Sequence, residues 1–332
     1  MPNHMNRHNF AEKKRKPKTR NRMKPVPSPT YTDATQWCEM SFLQTGGTRG
    51  KCWIQSPNDY GLYFFKESLH REGRDYSSEF WMEILSSKIG QSFGMHMLDY
   101  NIALRGDRLG CISANMCGNG EELVELKKLL TGTDNTYNPA SAQDKKRYTF
   151  AFLARSLSHF GLGGHITDFI RVLVFDAIIG NQDRHQDNWG FIRSSGDEAW
   201  ETARFSAVYD SGSSLGRELT DDRIKQMLHD DVQFMAYVRR GKAELRLTSD
   251  KVSYWTLLAD LERSGTYGET TRTVIEEFTS SFDQEVLHTI VYGIDRNLPA
   301  WHKSVSPERK EFIVKLVCQR IEELKRIATW EK

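Results

Sequence analysis

The stretch 180–192 constrains this chain more than any other part of its sequence. It reads Gly-Asn-Gln-Asp-Arg-His-Gln-Asp-Asn-Trp-Gly-Phe-Ile, and Val-Tyr-Asp-Ser-Gly-Ser follows at 208–213. Polar and charged side chains crowd a short segment between two apolar ones, and Asp183 precedes Asn188 by five residues. Asp210 adds a second, isolated carboxylate at the end of an apolar run. We therefore expect a tight polar turn and, downstream, a strand that delivers Asp210 to the same cleft.

These residue types at this spacing suit phosphoryl transfer. That reaction needs a side chain that orients the attacking hydroxyl and ligands that hold Mg²⁺ against the phosphates. Asp183 is the candidate catalytic residue, and Asn188 and Asp210 are the candidate metal ligands, because Mg²⁺ usually takes one or two carboxylates plus phosphate oxygens and water. Each motif alone is weak, since loops also collect Asn and Asp for turn formation. Their combination favours the functional interpretation.

A lysine upstream has the position expected of a phosphate-binding residue. Lys66 ends the apolar run Leu-Tyr-Phe-Phe, and it is either an edge lysine with a solvated head or a cleft lysine that binds phosphate. A carboxylate on the following helix would hold its ammonium group. Glu79 and Glu83 are one turn apart and share a helix face. We prefer Glu79, because it lies in the first turn of the predicted helix, nearer the expected cleft.

A glycine-rich turn precedes the first predicted strand. Glycines allow backbone N–H groups to approach an anion closely, so the turn is either a phosphate contact or an ordinary hairpin turn. It lacks the spacing of a P-loop. Its members are Gly46, Gly47, Thr48, Arg49, Gly50 and Lys51.

Apolar periodicity divides the chain into a strand-rich part and a helical part. We expect strands at 51–55, 62–66, 98–104 and 109–116, with one helix at 78–89. Beyond Gly118 we expect short strands only near 189–193 and 205–209, among helices at 121–130, 143–160, 167–180, 221–238, 251–263, 270–294 and 307–330. The predicted fold class is α+β: a bilobal, protein-kinase-like fold with a small β-rich N-lobe (36–117) and a larger helical C-lobe (118–332).

The N-terminal residues are unlike the rest. Residues 1–27 contain nine Lys and Arg and one acid, and prolines follow up to Pro29. Such a segment buries too little apolar surface to offset its ordering entropy, so we expect 1–35 to be a disordered basic tail. A solvated tail and an arm that binds nucleic acid or another acidic partner both fit this composition.

The sequence disfavours a membrane-spanning protein and a secreted protein. No segment is long and apolar enough to span a membrane, and the basic start lacks the apolar segment of a secretory signal. The five cysteines are scattered, without a CxxC pair, which indicates reduced thiols. We therefore expect a cytoplasmic protein.

Taken in order, these segments resemble the HipA-type serine/threonine kinases, bacterial relatives of the phosphoinositide 3/4-kinase-like group. The resemblance covers roughly residues 40–300 and is most specific at 180–192. It rests on Gly-Gly-Thr-Arg-Gly-Lys, Tyr-Phe-Phe-Lys, Ser-Glu-Phe-Trp-Met-Glu-Ile-Leu, Gly-Asn-Gln-Asp-Arg-His-Gln-Asp-Asn and Tyr-Asp-Ser-Gly.

The resemblance implies ATP and Mg²⁺ as cofactors and assigns a role to each candidate. Asp183 would be the catalytic base or orienting residue, and Asn188 and Asp210 would bind the metal. Lys66, held by Glu79, would bind the α- and β-phosphates under the turn at 46–51. Asn115 and Met116 would begin the hinge that receives adenine. An antitoxin partner is compatible with this family, but no motif here predicts one.

Three functions remain open at this point. The first is a protein kinase that phosphorylates Ser or Thr hydroxyls of a protein substrate and of itself. The second is a kinase of the same fold that acts on a phosphoinositide or another small alcohol. The mixed charges of 219–231 disfavour a membrane-facing substrate. The third is a non-catalytic adaptor that binds nucleotide or nucleic acid.

Overall fold

The N-terminal lobe is built on a six-stranded sheet. The computed structural model describes residues 22–43, 50–68, 70–71, 74–196, 200 and 202–328. The strands of the lobe are β1 (Tyr31–Asp33), β2 (Cys38–Glu39), β3 (Lys51–Gln55), β4 (Leu62–Glu67), β5 (His70–Arg71), β6 (Arg74–Asp75), then, after helix α1 (Glu79–Ser92), β7 (Asn101–Arg105) and β8 (Arg108–Ala114). The sheet order is β1-β7-β8-β4-β3-β2, and β5 and β6 form a separate ribbon.

The central strands follow the predicted pattern. β3 and β4, both expected as strands, form an antiparallel hairpin with Trp53 opposite Phe64. β4 also pairs antiparallel with β8. Neighbouring strands are antiparallel except β1 and β7, which run parallel. The aromatic and β-branched residues of β3 and β4 suit a pleated, half-buried surface. The four strands and the one helix expected for this lobe are present, and β1 and β2 extend the sheet at its two edges.

Helix α1 connects the two lobes through a common core. Its apolar residues Met82, Ile84 and Leu85 are fully buried and belong to the same cluster as Phe169 and Phe175 of the C-terminal lobe. A smaller cluster covers the other face of the N-lobe sheet. Because α1 is packed against both lobes, its two buried carboxylates need polar partners inside the protein.

The C-terminal lobe is helical, with a small second sheet. That sheet contains β9 (Glu121–Glu125), β10 (Gly190–Ser194) and β11 (Arg204–Phe205), in the order β11-β10-β9. The helices are α2 (Leu126–Thr133), α3 (Phe150–His159), α4 (Ile166–Ile179), α5 (Asp221–Leu228), α6 (Asp231–Arg240), α7 (Tyr254–Arg263), α8 (Gly268–Ser281), α9 (Gln284–Tyr292) and α10 (Pro307–Ala328), with 3₁₀ turns at Asp144–Arg147 and Gly163–His165. The predicted bilobal, kinase-like fold class is confirmed.

Several predicted helices are shorter than expected because capping residues interrupt them. Asp230 accepts a hydrogen bond from Gln233 N at 3.0 Å and begins α6, so the predicted helix 221–238 is two helices. Asp283 caps α9 in the same way and splits 270–294. A carboxylate at such a position satisfies amide groups that the helix leaves unpaired. The prediction of a helix over 121–130 is wrong in its first half, which is β9.

The segment before β1 is ordered from residue 22, so the predicted disordered tail 1–35 is wrong for 22–35. Met23 is buried, and its N–H donates to Ser281 O at 2.8 Å. The next amide, of Lys24, donates to Ser92 O at 2.9 Å. Through these two bonds the segment bridges the end of α8 and the end of α1. Residues 1–21, with most of the basic charge, lie outside the described residues.

Within the described ranges, no helix has the length and apolar character required to cross a membrane. Helix α4 lies deep in the C-lobe, and its residues from Phe169 to Ile179 are almost all inaccessible to solvent. It packs against α7, α8 and α10. The polar loop that follows α4 is therefore attached to a helix in the core of the C-lobe.

Candidate active site

The loop at 181–188 begins where α4 ends in a left-handed turn. Gly180 has φ of 69°, a conformation that favours glycine, and a Cβ there would lie 2.9 Å from the guanidinium carbon of Arg320. Asn181 then turns the chain: its Nδ2 donates to Asp176 Oδ1 at 3.0 Å, and its Oδ1 accepts from Asp183 N at 3.1 Å. Asp183 is thus held one short turn beyond a buried helix end.

Asn188 closes this loop. Its Nδ2 donates to the backbone carbonyl of Asp183 at 2.7 Å, and the residue is buried. The predicted pair therefore brackets one turn, as the spacing suggested. Only Oδ1 of the Asn188 amide can coordinate a cation, because Nδ2 is a donor already in use.

Asp210 lies across the cleft from this loop, at the end of the segment after β11. Its backbone has φ of 53°, an uncommon conformation for a residue with a side chain. The predicted strand 205–209 is shorter than expected: β11 ends at Phe205, and Val208 makes only an isolated bridge with Met97. The carboxylate of Asp210 remains partly exposed, at 31 %.

Lys66 joins the N-lobe sheet to this carboxylate. The residue is 4 % exposed, and its Nζ lies 2.6 Å from Asp210 Oδ1 and 2.5 Å from Glu83 Oε2. The prediction that Glu79 holds Lys66 is therefore wrong. Glu79 lies one helical turn earlier, where its carboxylate is 3.4 Å from Arg217 Nη1. The helix N-terminus is not the part of α1 nearest the cleft.

Glu83 connects three parts of the site. Its Oε1 accepts from Ser211 N at 2.7 Å, and its Oε2 accepts from Gly212 N at 3.1 Å as well as from Lys66. A Cβ on Gly212 would lie 2.9 Å from Glu83 Oε2, so only glycine allows this approach. One buried carboxylate thus positions both the cleft lysine and the backbone that follows Asp210.

Arg184 is the central residue that sequence reasoning missed. It is 1 % exposed; its Nε donates to Asp176 Oδ2 at 2.9 Å, and its Nη2 donates to Ser211 Oγ at 2.8 Å. Burial acts to lower the pKa of Arg184, but the Asp176 carboxylate raises it above its ordinary value, so the guanidinium stays charged. The signal available in the sequence was Asp176, a lone carboxylate inside an apolar helix.

The same guanidinium brings the two metal-ligand candidates to one place. Its Nη1 donates to the carbonyl of Asn188 at 3.1 Å and to the carbonyl of Tyr209, the residue before Asp210, at 2.6 Å. The loops that carry Asn188 and Asp210 therefore share a single hydrogen-bond donor. Such a buried, charged donor fixes both backbones because leaving either carbonyl unpaired would cost free energy.

The oxygen donors of Asp210 and Asn188 suit Mg²⁺, which binds few protein ligands, better than they suit a metal whose ligands all come from the protein. Asp210 offers a partly exposed carboxylate and Asn188 offers one amide oxygen, which leaves room for phosphate oxygens and water. No group of three or more His, Cys, Asp or Glu that could hold a metal occurs among the described residues.

Two cavities lie near these residues. One, of about 290 Å³, lies between the lobes and is lined by Asn115 and Met116 at the end of β8 together with Met97, Leu98, Ile192 and Ala207. The predicted hinge residues therefore line an interlobe cavity with largely apolar walls. The other, of about 500 Å³, is lined by Asp183. The two cavities have no lining residue in common.

The glycine-rich turn is only partly within the described residues. Gly46, Gly47, Thr48 and Arg49 lie outside them. Lys51 begins β3, where its Nζ lies 5.9 Å from the centre of the Phe64 ring. The predicted phosphate contact of this turn stays a prediction.

Comparison with solved structures finds the same fold in a kinase. The structure of the proinflammatory kinase CtkA of Helicobacter pylori aligns with a TM-score of 0.74 and 21% identity, over 90% of this chain and 96% of that chain. HipA in the Shewanella oneidensis MR-1 toxin–antitoxin complex of HipA, HipB and operator DNA aligns with a TM-score of 0.48 and 14% identity, over 86% of this chain and 65% of that chain. No family model and no curated protein matches the chain. The first likeness, at this level of identity, shows a shared fold.

Proposed function

We propose that this chain is an ATP- and Mg²⁺-dependent protein kinase that phosphorylates Ser or Thr hydroxyls, including its own. The observation that carries the proposal is the convergence of Lys66, Glu83 and Asp210 in direct contact at the junction of the lobes. Arg184 donates hydrogen bonds to the Asn188 and Tyr209 carbonyls and so holds the loop that contains Asp183 beside Asp210. The fold shared with CtkA supports it further.

Each residue has a role that its surroundings support. The interlobe cavity at Asn115 and Met116, which Met97, Ile192 and other apolar residues line beside His96, Asp99 and Arg204, would receive the adenine. Lys66 would bind phosphate oxygens while Glu83 keeps its ammonium in place. Asp183 would orient the acceptor hydroxyl and accept its proton as that oxygen attacks the γ-phosphorus and the bond to the departing ADP oxygen breaks.

Mg²⁺ would be held by Asn188 and Asp210, and when bound it neutralises charge on the phosphates. The acceptor is proposed to be a protein hydroxyl, since the cavity of about 500 Å³ that Asp183 lines is large enough for a side chain of a substrate protein. A lipid acceptor is an outcome of the test below.

The proposal is tested by incubating the purified chain with γ-labelled ATP, Mg²⁺ and a cell extract. We expect label on Ser or Thr of proteins, no transfer after chelation of the metal, and no transfer by an Asp210→Ala variant. Equal transfer by Asp210→Ala would contradict the proposal. Label confined to lipids would favour the lipid kinase, and ATP binding without transfer would favour the adaptor.

A second prediction separates the two carboxylates of α1. Glu83→Gln should lower the rate of phosphate transfer at subsaturating ATP by about 10²-fold, because Lys66 and the 211–212 backbone lose the charge that positions them. Glu79→Gln is the matched control: it changes a carboxylate of equal burial one turn away that does not contact Lys66 in the described ion pairs.

The control should retain much more activity than Glu83→Gln. Melting temperatures of both variants would separate lost activity from lost stability. Equal losses of activity at equal stability would contradict the role of Glu83.

A further inference from the structure

The cavity at Asp183 has the location of an acceptor site. Its volume is about 500 Å³, and Asp183, His185 and Asp187 line it from the 181–188 loop. Its opposite wall comes from the 3₁₀ turn at Asp144–Arg147 and from the segment that joins α6 to α7. A hydroxyl bound here could reach Asp183 without entering the interlobe cavity.

Three cationic side chains line this cavity, and they differ in their partners. Lys251 pairs with Glu244, which also lines the cavity. In contrast, Lys145 and Arg246 have no carboxylate partner among the ion pairs of the described residues. The carboxylate of Asp187 lies 3.0 Å from Lys127, outside the cavity. Two cationic residues therefore line the cavity outside any ion pair of the described residues, although carboxylates also stand in its walls.

Arg246 is the better positioned of the two. Its backbone N donates to Tyr148 O at 3.1 Å, and its backbone O accepts from Phe150 N at 2.7 Å, which attaches it to the start of α3. Its Nη1 donates to Ser249 O at 2.6 Å, whereas its buried Nε has no hydrogen-bond partner among the described residues. Arg246 as a whole is only half-buried and lines the cavity, so a peptide carboxylate could form charge-assisted hydrogen bonds with its guanidinium.

We infer that the cavity selects an acidic peptide: a Ser or Thr acceptor with Asp or Glu nearby in sequence, bound by Lys145 and Arg246. This inference rests on the proposed kinase function and specifies its substrate. A single carboxylate fits better than a polyphosphate, because Asp187 and Glu244 in the same walls would repel a larger negative charge. An extended peptide advances about 3.3 Å per residue, and Asp183 lines the same cavity as the two cations, so the acid should lie within a few residues of the acceptor.

Three matched Ser peptides test the inference, with Glu, Gln or Lys on both sides of the acceptor. The full chain is assayed with Mg-ATP for kcat/KM on each peptide and, separately, for binding of the fluorescent peptides without nucleotide. We expect kcat/KM for the Glu peptide to exceed that for the Gln peptide by about tenfold, and binding to follow the same order. The difference should shrink at high salt.

A pair of double variants locates the effect. Lys145→Gln with Arg246→Gln should bring the Glu-to-Gln ratio close to one. Lys146→Gln with Lys242→Gln removes the same charge from neighbouring exposed lysines that do not line the cavity, and it should keep the ratio. Equal ratios in the two double variants, or no preference for the Glu peptide in the unmodified chain, would overturn the inference.

The two proposals fail in different ways. Transfer to peptides without dependence on acidic residues would overturn the acidic-peptide inference alone. Binding of the Glu peptide that depends on Lys145 and Arg246, without any transfer, would support the cavity assignment and contradict the kinase function. Preferential labelling of phosphatidylinositol in vesicles would overturn the inference in favour of a lipid acceptor.

Discussion

Replacing Asp183 by asparagine is expected to lower kcat for phosphate transfer by about 10²–10⁴-fold, because the acceptor hydroxyl loses the group that takes its proton. The fold should survive, since the amide has the same size and the carboxylate is half-buried rather than part of the core. Its Oδ2 is 3.5 Å from Ser213 Oγ, a contact that an amide oxygen can replace. The measurement is a single-turnover assay with saturating ATP, beside a thermal melt.

Asp187→Asn is the matched control for this variant. Asp187 lies in the same loop and lines the same cavity, but its carboxylate pairs with Lys127 and is not proposed to accept the proton. We expect a much smaller loss of kcat for it. An Asp183→Asn variant with the kcat of the unmodified chain would show that the proton goes elsewhere.

Replacing Arg184 by methionine should destabilise the protein by about 3–5 kcal/mol, because it leaves the carboxylate of Asp176 buried without a counter-charge. Both residues are at most 1 % exposed, so water cannot take the place of the guanidinium. The free energy of unfolding from urea denaturation would measure the effect. Phosphate transfer should also fall, because the Asn188 and Tyr209 carbonyls lose their shared donor.

The double variant Arg184→Met with Asp176→Leu separates these two consequences. Removing both charges leaves no uncompensated ion in the core, so much of the stability should return. Activity should not return with it, because no other described side chain donates to both carbonyls. A double variant that regained full activity would mean that Arg184 acts through stability alone.

The elements that were predicted well have strong local patterns. β3, β4, α4 and α10 match their predicted positions to within a few residues, since each has a strong local pattern, either periodic apolar residues or a nearly continuous apolar run. The fold class followed from the same patterns. The candidate site residues came from unusual local density of polar side chains at 180–192, and the structure brings that segment to the cleft with Lys66 and Asp210.

The predictions that failed depended on partners far away in sequence. Residues 121–125 have a composition that suits a helix, but pairing with β10, with Val124 opposite Phe191, makes them a strand. Residues 22–35 lack a core of their own, yet Met23 is buried against the ends of α1 and α8. In both cases tertiary contacts outweigh local preference.

The sequence by itself determined the α+β class and the order of the lobes, and it singled out residues 183, 188 and 210 as candidates, because periodicity and residue type are local properties. Tertiary structure alone decided that Glu83 rather than Glu79 meets Lys66, and that Arg184 joins the two loops. Those choices depend on how helices and loops are oriented across the cleft. Glu79 and Glu83 lie one turn apart on the same helix face, so the local pattern cannot tell which of them reaches Lys66.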